Sequence, residues 1–168
     1  MGDGVEQALH CVMVLGALPD DALLPAKALA EFHDIPQPYL LKHLQALTRA
    51  KVVSSVSGPQ GGYRLARAAR EITLLDVVQA IDGAEPAFRC TDLRRRGPGA
   101  ADDPCAFAAL CVIHRRMLAA EEAWRASLRE ETIADLVAEF GFGIDPRNVG
   151  KAMQWLRPRV RTRPAIER

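Results

Sequence analysis

Between Gln37 and Arg70 the sequence contains no aspartate or glutamate, although Lys42, Arg49, Lys51, Arg64, Arg67 and Arg70 all fall in that stretch. The whole chain is close to neutral, with a formal net charge of +1. Total charge therefore points to no partner, whereas a one-signed folded segment is either the footprint of a polyanion or a solvated basic face. A long apolar run is also missing. The longest near the start, CVMVLGAL over residues 11–18, is too short to span a bilayer and follows Asp3 and Glu6. Neither a membrane anchor nor a secretory signal is expected, which places the protein in the cytoplasm. There is no internal repeat, no phosphate loop and no Ser/His/Asp arrangement, and no nucleophile can be paired with a base, so an enzyme is not expected. Cysteine is sparse: Cys11, Cys90, Cys105 and Cys111. In a reducing compartment these read as ligands, redox groups or core rather than a disulfide frame.

What is present suits one domain with an elaboration, since 49% of the 168 residues are hydrophobic and such a chain can bury a core. PAKALAEFH carries Ala28, Leu29 and Phe32 at helical spacing, DIP interrupts it, and QPYLLKHLQALTRA repeats Leu40, Leu44 and Leu47 behind Pro38. Two short helices joined by a tight turn make a helix-turn-helix. Its second helix would present Gln37, Tyr39, Lys42 and His43 to DNA bases or phosphates. KVVSSV and GYRLA read as strands flanking SGPQGG, a hairpin whose glycines supply positive φ and a small tip that can lie close to another backbone. Such a hairpin is a wing, set on the minor groove or the phosphates, where acidic residues would be repelled. Ser57, Gln60, Gly61, Gly62 and Arg64 are its candidate DNA-facing residues.

GPQGGYRLAR followed by ITLLDVVQAIDG, the preceding helix-turn-helix and three late cysteines together resemble the bacterial IscR/NsrR family of winged-helix regulators, from about Gly4 to about Leu136. The resemblance implies a homodimer paired through a long helix, a roughly palindromic double-stranded operator, and an iron–sulfur cluster that senses iron, nitric oxide or redox state.

The cysteines divide into two kinds. Cys11 lies among Val5, Ala8, Leu9, Val12 and Leu15 at spacings of three and four, which marks it as core. Cys90, Cys105 and Cys111 lie in or beside the Gly, Pro and Arg-rich stretch RCTDLRRRGPGAADDPC, where a structural thiol has little core to join. Cys-x5-Cys is too wide for the usual short zinc loop, and the resemblance implies cluster ligation there, with Cys90 in reserve. Two answers exist for the remaining ligands. His114 would share a helical face with Cys111, as in IscR-type members. Glu6 and His10, in GVEQALHC, are four apart on a helix and about 6 Å from each other; they can grip a metal or form an ordinary surface hydrogen bond. GVE-ALH is most similar to the RsrR-type branch, which implies a [2Fe-2S] cluster, with [4Fe-4S] the alternative. Cys105 and Cys111 of one chain and Glu6 and His10 of the other would be its ligands. Gln7 stands where that branch carries an aromatic residue.

On one continuous helix Cys105 and Cys111 would be about 240° apart and could not share an iron, so the long helix must begin near Leu110 or break after one turn. Leu110, Ile113, Met117, Ala120, Trp124 and Leu128 then form an apolar seam. Asp145 and Pro146 start one more amphipathic helix, and RPRVRTRPAIER reads as a disordered basic tail whose contact with DNA would be nonspecific only. The expected protein is mainly α with a small β-hairpin: a winged helix-turn-helix over residues 1–83, a cluster loop over 84–109, a dimerisation helix over 110–130 and a C-terminal extension over 131–168. The expected function is a redox-responsive transcriptional regulator. A cluster-free thiol switch and a zinc-stabilised interaction module are the alternatives.

Overall fold

The computed structural model describes residues 2–100, 107–143 and 145–162. Among them the elements run α1 (Asp3–Gly16), β1 (Ala22–Leu23), α2 (Ala26–Phe32), α3 (Gln37–Arg49), β2 (Val53–Val56), β3 (Gly62–Leu65), α4 (Leu74–Asp82), α5 (Val112–Glu130), α6 (Ile133–Gly143), α7 (Pro146–Leu156) and β4 (Arg161–Thr162). The protein is thus mainly helical with a small β-hairpin. None of these helices is long and apolar enough to cross a membrane. The chain divides into two compact units, Met1–Gly83 with Arg129–Arg168, and Ala84–Leu128.

In the first unit the spacing of apolar residues decides what is buried. α1 buries Val5, Ala8, Cys11, Val12 and Leu15 and packs on α3, α4 and α6. α2 and α3 are joined by a turn in which Asp34 adopts φ 52° and Ile35 is buried. Leu40, Leu44 and Leu47 of α3 have no solvent exposure, each worth about 1.5–3 kcal/mol of transfer free energy. α4 begins with a reciprocal cap. The Asp76 amide donates to Thr73 Oγ1 at 3.1 Å and the Thr73 amide to Asp76 Oδ2 at 2.9 Å, while Arg67 holds the same carboxylate at 2.8 Å.

Beyond Leu128 the structure corrects the sequence reading twice. α6 was not expected, although Thr132 and Asp135 form the same reciprocal cap and Ile133 is fully buried. The Ile133 amide donates to Ile72 O at 2.9 Å. Gly16 makes the approach of α1 and α6 close, since a Cβ there would lie 3.0 Å from Ile133 Cγ2 and the isoleucine side chain would have to shift. The tail expected to be disordered is ordered over residues 157–162, its residues 163–168 lying outside the described residues: β4 pairs antiparallel with β1, Ala22 opposite Thr162 and Leu23 opposite Arg161. This pairing gives the segment backbone partners that its own sequence could not supply. α7 starts as expected, with Asp145 accepting the Arg147 amide at 2.9 Å.

The second unit is a loop fastened to the first part of a helix. Glu121 Oε2 accepts the Ala87 amide and Arg125 donates to Ala84 O and Glu85 O; Arg125 and Glu121 are paired at 2.7 Å. α5 begins just past Cys111, and none of its residues is buried.

Candidate functional site

Polar and basic groups lie on the outer side of α3. Gln37 and Lys42 are exposed and Tyr39 is 42% exposed; Lys42 has no ion pair among the described residues. His43 is placed differently from the sequence expectation. It is only 8% exposed, stands edge-on to Tyr39 with ring centroids 4.6 Å apart, and fits against α1 at Gly4, where a Cβ would come within 2.8 Å of its Cε1. His43 belongs to the buried stripe at spacings of three and four with Leu40 and Leu47. It is a packing residue and does not face outward.

The wing is a four-residue pair of strands in which Ser54 faces Arg64, Ser55 faces Tyr63 and Val56 faces Gly62. Ser57, Pro59 and Gln60 are exposed at the tip, and only Gly58 there needs positive φ, at 104°. Gly61 and Gly62 serve the second of the two expected roles, close approach to another backbone, and not positive φ. A Cβ on Gly61 would lie 2.0 Å from Val56 O, and one on Gly62 would lie 2.8 Å from Leu24 C and O. Leu24 and Tyr63 exchange both backbone hydrogen bonds, at 3.0 and 2.9 Å, so the wing is tied to the residue after β1. Arg64 is half-buried and lines a groove with Pro19, Asp20 and Ser54, set back from the tip.

Glu6 and His10 are exposed one turn apart on α1. They line an open hollow of ≈ 460 Å³ with Gln7, His33 and Asp34. The His10 and His33 rings are 5.8 Å apart. Burial, and then the neighbouring His10, lowers the His33 pKa to about 4. Gln7 Oε1 and His33 Nε2 are buried there without a hydrogen-bond partner. His33 is the site residue that sequence reasoning missed, because nothing in EFHDIP signals that the turn folds back against α1. Among the described residues no group of three His, Cys, Asp or Glu side chains is arranged to hold a metal within one chain.

Cys105 lies outside the described residues. Cys111 sits at the start of α5, where the Arg115 amide donates to its carbonyl at 3.0 Å. Its thiol pKa is lowered by hydrogen bonds from the His114 and Ile113 amides, as expected of a thiolate at a helix N-terminus. Cys90 accepts the Asp92 amide at 3.4 Å. His114 Nδ1 is buried without a partner, beside Phe88 at 6.1 Å. The arginines of this stretch are structural: Arg94 and Arg95 both pair with Asp92, and Arg95 Nη2 donates to Phe107 O at 2.7 Å. Cys11 has no exposure and burial pushes its pKa up to about 12, which makes it an inert core residue.

The buried imidazoles predict a pH response. Burial, then the Lys42 charge, lowers the His43 pKa from its ordinary 6.5, and His33 is shifted the same way. Below pH 6.5 the unfolded chain binds more protons than the folded one, so unfolding free energy is fully present above that pH and declines as pH falls. Thermal unfolding of metal-stripped protein should show Tm falling between pH 7 and pH 5, with a shallower fall in His43→Gln. An equally steep fall in the variant would count against His43 as a contributor.

The sequence pattern of a family described as "Rrf2: Iron-dependent Transcriptional regulator" matches residues 1–139. A helix-turn-helix-type transcriptional regulator of Aquifex aeolicus (strain VF5) is 30% identical over 135 residues, covering 80% of this chain and 89% of that protein. Among solved structures, the IscR of T. potens superposes with a TM-score of 0.64 at 20% identity, over 86% of this chain and 91% of that one. CymR (YrzC), the global cysteine regulator of B. subtilis, superposes with a TM-score of 0.59 at 21% identity, over 83% and 96%. At such identities the two structures are alike in fold.

Proposed function

The chain belongs to the Rrf2 family of DNA-binding transcriptional regulators, which are not enzymes, and on that premise we propose that it is a homodimer whose operator binding answers to a redox-active [2Fe-2S] cluster. Glu6 and His10 of one chain and Cys105 and Cys111 of the other would hold the cluster. The observation that carries this reading is the hollow on α1. An exposed carboxylate and imidazole stand one turn apart over two buried polar atoms without partners, a donor set left incomplete within one chain. Cys111 suits the complementary role, because backbone N–H groups favour its thiolate, the form that binds iron. When bound, the cluster supplies a one-electron change of charge.

Dimerisation has its support in α5. Leu110, Ile113, Met117 and Trp124 are between 37% and 69% exposed, and they recur at spacings of three, four and seven. Burying such a seam against a second copy removes an apolar surface that a monomer would present to water.

Charge alone does not carry a signal to the recognition helix. One unit charge acting over about 20 Å at an effective dielectric near 20 is worth roughly 0.8 kcal/mol before screening, under the usual coupling of about 1–3 kcal/mol. Packing is the stronger route. His43 of α3 leaves no slack against Gly4 of α1, so a shift of α1 driven at Glu6 or His10 displaces α3. Lys42, Gln37 and Tyr39 on α3 and Ser57, Gln60 and Arg64 on the wing are then the groups whose placement on DNA changes.

A cluster-free thiol switch is the second reading, favoured by the same lowered Cys111 thiol. Anaerobic purification separates the two. Wild-type protein is expected to be coloured, with visible absorbance that Cys111→Ser loses while still dimerising and that Cys11→Ser and Cys90→Ser keep. Colourless, iron-free wild type that loses DNA affinity on mild oxidation would replace the cluster reading with the thiol switch.

A further inference from the structure

The basic segment after α7 is fixed beside the wing. Trp155 packs on Phe32 of α2 with ring centroids 5.5 Å apart, and Leu156 is buried in the core. Arg159 lies over the Trp155 ring at 3.7 Å and donates to Trp155 O at 2.8 Å. β4 then runs along β1, whose following residue Leu24 is bonded to Tyr63 of the wing. Arg161 completes the connection, its Nη1 donating to Gly61 O at the base of the wing tip at 2.7 Å, across one hundred residues of sequence.

These contacts build an open groove of ≈ 710 Å³ lined by Lys27, Glu31, Gln60, Arg159, Arg161 and Thr162, among others. Three cations face one carboxylate there, and Glu31 already pairs with Lys27 at 3.8 Å. Arg157, the residue before the groove-lining Pro158, is exposed and without an ion pair among the described residues. A guanidinium offers five N–H donors in a fixed fork matched to phosphate oxygens; Arg161 spends one on Gly61 O, so others remain.

We infer that Arg157–Thr162 is a third DNA-binding element, in which Arg157 and Arg161 hold backbone phosphates beside the wing while Arg161 braces the wing tip. This inference rests on the DNA-binding reading above. Its ligand is the phosphodiester backbone, so its contribution is independent of base sequence.

The test uses the full chain, with two duplexes of equal length: one selected from random-sequence DNA by the wild-type protein, one unrelated. Affinity is measured from 50 to 200 mM NaCl. Arg157→Ala and Arg161→Ala should each weaken binding to both duplexes by a similar factor, about tenfold at low salt. Each should also lower the slope of log affinity against log salt by about 1.8, because the substitution removes one phosphate contact from each chain of the dimer. Arg161→Lys, which keeps the charge, should keep the slope. Unchanged affinity and slope in both alanine variants, with wild type binding normally, overturns the inference. So does an Arg161→Ala protein that loses thermal stability and affinity while its salt slope stays at the wild-type value, because that arginine would then be a brace alone. Wild type that binds neither duplex overturns the DNA-binding reading itself, and this inference with it.

Discussion

Glu6→Ala chains and Cys105→Ser chains, each unable to assemble a cluster alone, should together recover roughly a quarter of the wild-type cluster content when unfolded, mixed and refolded with iron and sulfide. The value follows from the proposed sharing of ligands between chains. Random pairing makes half of the dimers mixed. In a mixed dimer one site lacks both the carboxylate and the cysteine, while the other receives Glu6 and His10 from one chain and both cysteines from the other. A site built within a single chain that needed both Glu6 and Cys105 would gain nothing from mixing, because no chain carries both. If Glu6→Ala alone holds a full cluster and His114→Ala is empty, the exposed pair on α1 is an ordinary surface pair. His114, with its buried Nδ1 lacking a partner, then becomes the fourth ligand.

Gly61→Ala should cost the wing its shape. A methyl group 2.0 Å from Val56 O and 2.9 Å from Gly58 O meets backbone on both sides, which cannot rotate away as a side chain would. Forced overpacking costs about 1–3 kcal/mol, occasionally more, which for a chain of this size lowers Tm by about 3–10 °C. DNA affinity should fall further than stability, since Gly61 O also holds Arg161 and Ser57–Gln60 form the exposed tip. Gly99→Ala is the matched control: nothing lies within 4 Å of its added Cβ, and its Tm and DNA affinity should match wild type. A Gly61→Ala protein with wild-type Tm and wild-type affinity would mean that the tip adjusts freely and has no fixed shape to lose.

How much of this was legible in the sequence depended on distance along the chain. The wing was readable because β-branched strands and the glycines between them are adjacent, although the partners that Gly61 and Gly62 approach were not. Close approach to Val56 and Leu24 is a property of the folded backbone, and only Gly58 needs the positive φ that composition suggests. His43 was misread although a signal was present, since Leu40, His43, Leu44 and Leu47 form one helical stripe. α6 announced itself through Thr132 and Asp135, a cap of the same form as Thr73 and Asp76. β4 had no local signal at all; Arg161 and Thr162 are a strand only because β1 lies beside them. Of the candidate ligand set, the exposed pair on α1 followed from helical spacing, whereas the proximity of His33 required the turn between α2 and α3 to be seen.

The pairing of β4 with β1 also bears on how the protein is made. Ala22 and Thr162 are roughly 140 residues apart, and synthesis proceeds at about 5–20 residues per second. On a ribosome the first strand therefore waits about 7–28 s for its partner. During that interval Leu23, which is wholly buried in the finished molecule, has a bare edge beside it. A nascent regulator is thus open to chaperones and to pairing with neighbouring chains until β4 emerges. Premature stops between α6 and β4 leave the helix-turn-helix encoded in full but β1 without its partner strand.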